Sequence, residues 1–240
     1  MKSVVLKELS EILNIVNKYH AVEPVNEIFS PSYPCLKERL EKARSDSRWT
    51  EFKDCIREGN GVVKLLDMTI YIPPTACFKS ILTLDTGIKK YMLVFYISII
   101  SDYYAYKTKA IYTEVPDIAT MLASEKDDDL MNQLKSLFGR KNFRIDMYKQ
   151  KEELIKRLKE IPRYKEVIER EEIFKRDNPL FFNETPEEIR YLVKPLLDCQ
   201  ERIFNYQLFD KSYAGITFNE NGTITLFDGL FTDFDDFSQL

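Results

Sequence analysis

Apolar side chains at Val5, Leu9, Ile12, Leu13 and Val16 recur at helical spacing, which predicts an amphipathic helix over residues 3–20 with one buried stripe. Leu40, Ala43, Trp49, Phe52 and Ile56 continue the same period and predict a second helix from about Leu36 to Ile56. Gly59-Asn60-Gly61 stops it, because glycine takes the left-handed conformation that ends helices.

From Val62 the period shortens to two. Val62–Ile72, Cys77–Leu84, Tyr91–Ile100 and Tyr103–Thr113 read as four consecutive strands, punctuated by Pro73-Pro74, Asp85-Thr86-Gly87 and Ser101-Asp102. Connections this short predict an antiparallel meander. The third strand is apolar at both odd and even positions, so it needs cover on both faces and belongs in the middle of the sheet. The fourth carries Lys107 and Lys109 on one face, which is expected to be wet.

Helical spacing returns at Ile118, Met121 and Leu122, again at Leu130, Leu134 and Leu137, and then in two segments at about 149–161 and 162–174. Thr185-Pro186-Glu187-Glu188 has the form of a helix start with a capping box, and its stripe runs through Ile189, Leu192, Val193, Leu196 and Ile203 past Pro195. A hairpin is predicted over 213–227, turning at Asn221-Gly222. No repeat and no Gly/Ser/Pro linker interrupts the chain. The expectation is one α+β domain over 1–240, with a mainly antiparallel sheet packed by amphipathic helices and an acidic, aromatic tail over 228–240.

Composition narrows the chemistry. With 240 residues, 44% hydrophobic and 31% charged, the chain can bury a sizeable core. A net charge of −4 offers no overall attraction to nucleic acid or anionic membrane. Charge appears by Lys7 and Glu8, unlike a signal peptide, and the longest apolar run, Tyr91 to Ile100, is half of the ~20 residues a spanning helix needs. Cys35, Cys55, Cys77 and Cys199 contain no C-x-x-C pair and are expected to be reduced. These features together predict a cytoplasmic chain.

Catalytic motifs are scarce. Leu84-Asp85-Thr86-Gly87 resembles the Asp-Thr-Gly motif of aspartic proteases, yet Ile88 stands where that family has Ser or Ala, and no second copy occurs. Asp and Gly are also ordinary turn residues, and a hairpin turn is the reading we adopt. His20 is the sole histidine, so two-histidine zinc sites are excluded and any histidine-dependent catalyst must use it. At the end of a helix it fits a structural or surface role. Gly59-Asn60-Gly61 lacks the third glycine and the strand–helix context of a dinucleotide fingerprint, and no phosphate-binding loop motif occurs. Pro116-Asp117 has no downstream Asp/Glu-x-Lys, which removes a metal-dependent nuclease. No metal or cofactor is expected.

Two stretches stand out by charge. Residues 140–165 hold ten basic and four acidic side chains, with Arg140, Lys141, Arg144, Lys156, Arg157 and Lys159 forming a candidate basic patch. Its first reading is a solvated helix face; contact with an acidic protein surface or with nucleic acid is the alternative. In the tail, Phe231, Phe234 and Phe237 recur every third residue among Asp228, Asp233, Asp235 and Asp236. Three rings on one face can dock on this domain or on another protein. The functional expectation is a non-enzymatic protein-binding domain, an inhibitor or immunity-type protein covering a basic partner. The alternatives are a hydrolase or transferase whose site forms only in the fold, and a nucleic-acid adaptor acting through 140–165.

Overall fold

The computed structural model describes residues 2–20, 33–111, 156, 158–218 and 225–231. The chain divides into two compact units, one of residues 1–109 and 180–240, the other of residues 110–179. In chain order the elements are α1 (Lys2–Tyr19), α2 (Pro34–Ala43), α3 (Ser47–Arg57), β1 (Val62–Asp67), β2 (Cys77–Asp85), β3 (Lys90–Ser98) and β4 (Tyr103–Ile111). They continue with α4 (Pro162–Asp177), β5 (Phe181–Phe182), a 3-10 turn at Glu187–Ile189, α5 (Arg190–Ile203), β6 (Gln207–Leu208) and α6 (Leu226–Phe231).

The sheet has the order β1-β2-β3-β4-β5, with β6 pairing parallel to β4, so the fold is α+β with a mainly antiparallel meander. The β2–β3 ladder runs from Cys77 opposite Ser98 to Asp85 opposite Lys90. As the two-sided apolar pattern requires, β3 is central and buried from Tyr91 to Ser98.

Alternation assigns its side chains to two cores. Phe95 and Ile97 share a face with Phe78, and that face meets Trp49 and Phe52 of α3 and Phe204 after α5, with ring centroids 5.0–6.2 Å apart. Tyr96 points the other way, against Phe227 and Phe231 of α6. Helices therefore cover both faces of β3. That arrangement is the three-layer solution for a strand with no polar side.

Five details depart from the sequence reading. The predicted helix 36–56 is two helices, because the Asp46 carboxylate accepts from the Arg48 amide at 3.0 Å and starts α3 afresh. Thr185 makes no capping box. Its hydroxyl pairs with Tyr106 at 3.3 Å, Pro186 precedes a 3-10 turn, and α5 begins at Arg190. Of the predicted hairpin, the described residues show a bridge between Thr217 and Thr225, with a 3-10 turn at Lys211–Tyr213 before it and helix from Leu226 after it; its turn lies outside the described residues. The chain enters α6 at once, because Thr225 and Asp228 cap each other: Thr225 Oγ1 donates to the Asp228 carboxylate at 2.7 Å and accepts from the Asp228 amide at 3.1 Å.

The lysine-bearing face of β4 is not wet. Lys107 is half-buried, and its ammonium sits 4.7 Å from the Phe227 ring centroid and 5.5 Å from that of Tyr96, because α6 covers it. The last departure concerns the cysteines. Cys55 of α3 and Cys199 of α5 form a disulfide across 144 positions, with Cα atoms 6.2 Å apart. A thiol state assigned from the absence of C-x-x-C spacing misses a pairing that only the packing of α3 on α5 creates.

In the second unit, α4 confirms the helical segment predicted from residue 162, with Tyr164 and Ile168 buried. The helices expected over 116–139, and most of 149–161, lie outside the described residues. Among the described residues, no helix is long and apolar enough to cross a membrane.

Candidate interaction site

The ionisable groups singled out in the sequence have structural partners. His20 is half-buried between the rings of Tyr33 and Phe218, and its Nε2–H donates to the Gly229 carbonyl at 2.7 Å. Burial pushes its pKa below the ordinary value, outweighing the raising effect of that bond. The imidazole is thus a neutral clasp between the end of α1 and α6, with no carboxylate against it among the described contacts. Asp85-Thr86-Gly87 is the β2–β3 turn. Gly87 has φ +81°, its amide donates to the Asp85 carboxylate at 2.8 Å, and the Thr86 amide bonds to the Lys89 carbonyl at 3.0 Å. The Asp85 carboxylate also faces Lys90 at 3.8 Å, as an ordinary turn acid does.

Phe231 is fully buried, and its carbonyl accepts from the Cys77 thiol at 2.6 Å. Asp228 caps its own helix. Asp233, Phe234, Asp235, Asp236 and Phe237 lie outside the described residues, as do Arg140, Lys141, Arg144 and Arg157. Lys156 is exposed, and Lys159 is bonded to Glu172 of α4 at 2.8 Å. Among the six candidate basic residues only Lys156 and Lys159 are described, and Lys159 sits in the turn that precedes α4.

Among the described residues, convergent charge lines two depressions. One is lined by Arg39, Lys42, Asp46, Arg48, Ser98 and Tyr206 and holds about 60 Å³, room for only a couple of water molecules. Its charges are committed: Arg48 forks onto Asp46 at 2.7–3.3 Å and stacks over Phe204 and Tyr206, while Arg39 Nε donates to the Ile99 carbonyl at 2.7 Å. Asp46 holds its carboxyl below the usual range through this hydrogen bonding. The other, beside Cys55, is a shallow hollow lined by Ser47, Thr50, Glu51, Asp54, Glu58 and Arg202. Among the described residues no group of three or more His, Cys, Asp or Glu side chains is placed to hold a metal ion.

What the fold does leave open is a strand edge. Gly61, at φ +76°, turns the chain from α3 into β1, and a bulge between Val62 and Lys64 shifts the register against β2. Only β2 pairs with β1, so its outer edge has no strand partner among the described residues. The Met68 amide still reaches the Lys79 carbonyl at 2.8 Å, and Thr69 bonds to Lys79 in turn, so the segment stays alongside β2 beyond the ladder. Asp67 anchors the middle, accepting from Trp49 Nε1 at 3.1 Å and from Lys53 at 2.7 Å.

Five large apolar side chains along this stretch face water. Val63 is 58% exposed, Leu66 40%, Met68 42%, Ile70 55% and Ile72 64%. Sheet edges in monomers are ordinarily blunted by charges, prolines or covering loops. Here the devices are the bulge and Lys64, set among apolar neighbours. The expected strand over 62–72 ends at Asp67, where the Asp67 carboxylate accepts from the Thr69 amide at 3.0 Å and turns the chain out of the ladder, and the sequence held no signal for its place in the sheet. Alternation looks the same whether the apolar side meets a helix or water.

Set against known proteins, the chain matches no family model, no curated protein and no solved structure.

Proposed function

We propose that this chain is a non-enzymatic protein-binding domain that receives a partner along the outer edge of β1 and its continuation to Ile72. The observation that carries this reading is the exposure of Val63 and Leu66 on β1, whose outer edge has no strand partner among the described residues, and of Met68, Ile70 and Ile72 in the segment that follows it. An added strand supplies main-chain hydrogen bonds to the open edge and apolar side chains to the exposed row, the mode known as β-augmentation. The narrower form of the proposal is an inhibitor or immunity-type protein that covers a basic partner. The net charge of −4 and the tail acids Asp233, Asp235 and Asp236 support the sign of that partner. A cytoplasmic setting belongs to the same reading.

The test compares the wild-type chain with Leu66→Lys and Ile70→Lys in affinity capture from the native cell extract, followed by amide hydrogen exchange on the complex formed. The expected result is a basic protein held by the wild type and lost from both variants, with new amide protection confined to 62–72. Equal capture by the variants, or protection elsewhere, refutes the assignment.

A further inference from the structure

The Cys55–Cys199 bridge is set apart from the other cysteines by its surroundings. Cys77 is buried, with its sulfur against the Phe231 carbonyl. Cys55 and Cys199 are only half-buried, and Cys55 lines the hollow between α3 and the last turn of α5. Arg202, one helical turn beyond Cys199, directs its Nη2 at Cys55 Sγ from 2.9 Å. We propose that this bridge is a thiol-exchange site, opened by small-molecule thiols, in which Cys55 departs as a thiolate held by Arg202.

The bond changes follow from which sulfur carries charge best. An external thiolate attacks Cys199 Sγ along the S–S axis, forming a mixed disulfide on Cys199 and breaking the bond to Cys55. The electron pair leaves on Cys55, where the guanidinium already points. A second external thiolate attacks the outer sulfur of the mixed disulfide, giving the external disulfide and releasing the Cys199 thiolate, which takes a proton from water. Two external thiols are oxidised and one protein disulfide is reduced. A neighbouring cation favours the thiolate and speeds its departure.

Acidic groups on α3 oppose this, and their placement decides the balance. Glu51, Asp54 and Glu58 line the hollow, but Asp54 is bonded to Arg57 at 2.8 Å, and Glu51 and Glu58 are exposed and water-screened. Arg202 touches the sulfur directly. The nearest charge wins.

The test uses the full chain, reduced and then pulsed with iodoacetamide at pH values from 5 to 9, with each cysteine followed by peptide mass spectrometry. Exposed Cys35 serves as the internal reference. Cys55 is expected to alkylate about tenfold faster than Cys35 at pH 7, and Arg202→Gln is expected to remove that excess. In the oxidised protein, glutathione is expected to open the bridge about tenfold more slowly in Arg202→Gln than in the wild type. Arg202 is exposed, so the variant folds, and its circular dichroism confirms this. Faster alkylation of Cys199 than Cys55, an unchanged profile in Arg202→Gln, or absence of the 55–199 bridge from the oxidised protein each overturns the proposal.

Discussion

Replacing Phe231 by alanine separates a core role for the C-terminal aromatics from a partner-binding one. The Phe231 side chain has no solvent exposure, and its ring lies 4.9 Å from Phe227, 5.5 Å from Phe209 and 6.2 Å from Tyr96, centroid to centroid. Losing a buried phenyl ring forfeits about 1.5–3 kcal/mol of transfer free energy. The cavity left among rigid aromatic neighbours raises the total to about 4 kcal/mol. Each ring pair adds its own contribution of about 0.5–1.5 kcal/mol beyond burial, so the figure is not inflated by the choice of site. With a urea slope of about 3 kcal/mol/M, the midpoint falls by roughly 1.3 M. Trp49, the sole tryptophan, stacks on Phe52 and Phe78 and reports unfolding of the same compact unit by fluorescence. A ring poised for a partner and exposed beforehand would change stability by less than about 0.5 kcal/mol on removal. A midpoint shift under 0.3 M therefore refutes the burial argument.

Two further outcomes follow from the same structure. Burial depresses the His20 pKa from 6.5, so its contribution to stability is complete above that value and is lost as pH falls through the folded-state pKa; urea midpoints between pH 7 and 5 are expected to fall less in His20→Gln than in the wild type, and an equally steep fall in the variant counts against the clasp. Gly61 and Gly87 both have positive φ, but a Cβ on Gly61 meets Leu192 Cδ2 at 2.8 Å and one on Gly87 meets nothing within 4 Å. Gly87→Ala is expected to cost about 1 kcal/mol for the left-handed backbone, and Gly61→Ala about 3 kcal/mol once overpacking is added; equal costs in chemical denaturation contradict the packing of α5 on this turn.

Much of the fold was legible because it is local. The change of period at Val62, the turn at Asp85-Thr86-Gly87 and the two-sided apolar pattern of Tyr91–Ile100 each arise from neighbours a few positions apart. They placed the meander and its central strand correctly. Local signals also failed in places. The second hairpin strand, expected to run to Phe227, gives way to helix from Leu226, because Phe227 and Phe231 gain a core face against Tyr96 there. The break at Asp46 escaped the helical period because the apolar stripe runs on either side of it, while the structure caps α3 there.

The sequence alone determined that this chain folds around an antiparallel sheet, that β3 is its spine, and that no common catalytic spacing is present. Tertiary structure alone decided that Cys55 meets Cys199, that Lys107 is caged by rings, and that the apolar positions of 63–72 look outward. The physical reason is one of range. Periodicity records which side chains share a face, whereas pairing partners, edges and cover are set by contacts between residues tens to more than a hundred positions apart, for which a single chain carries no regular signal.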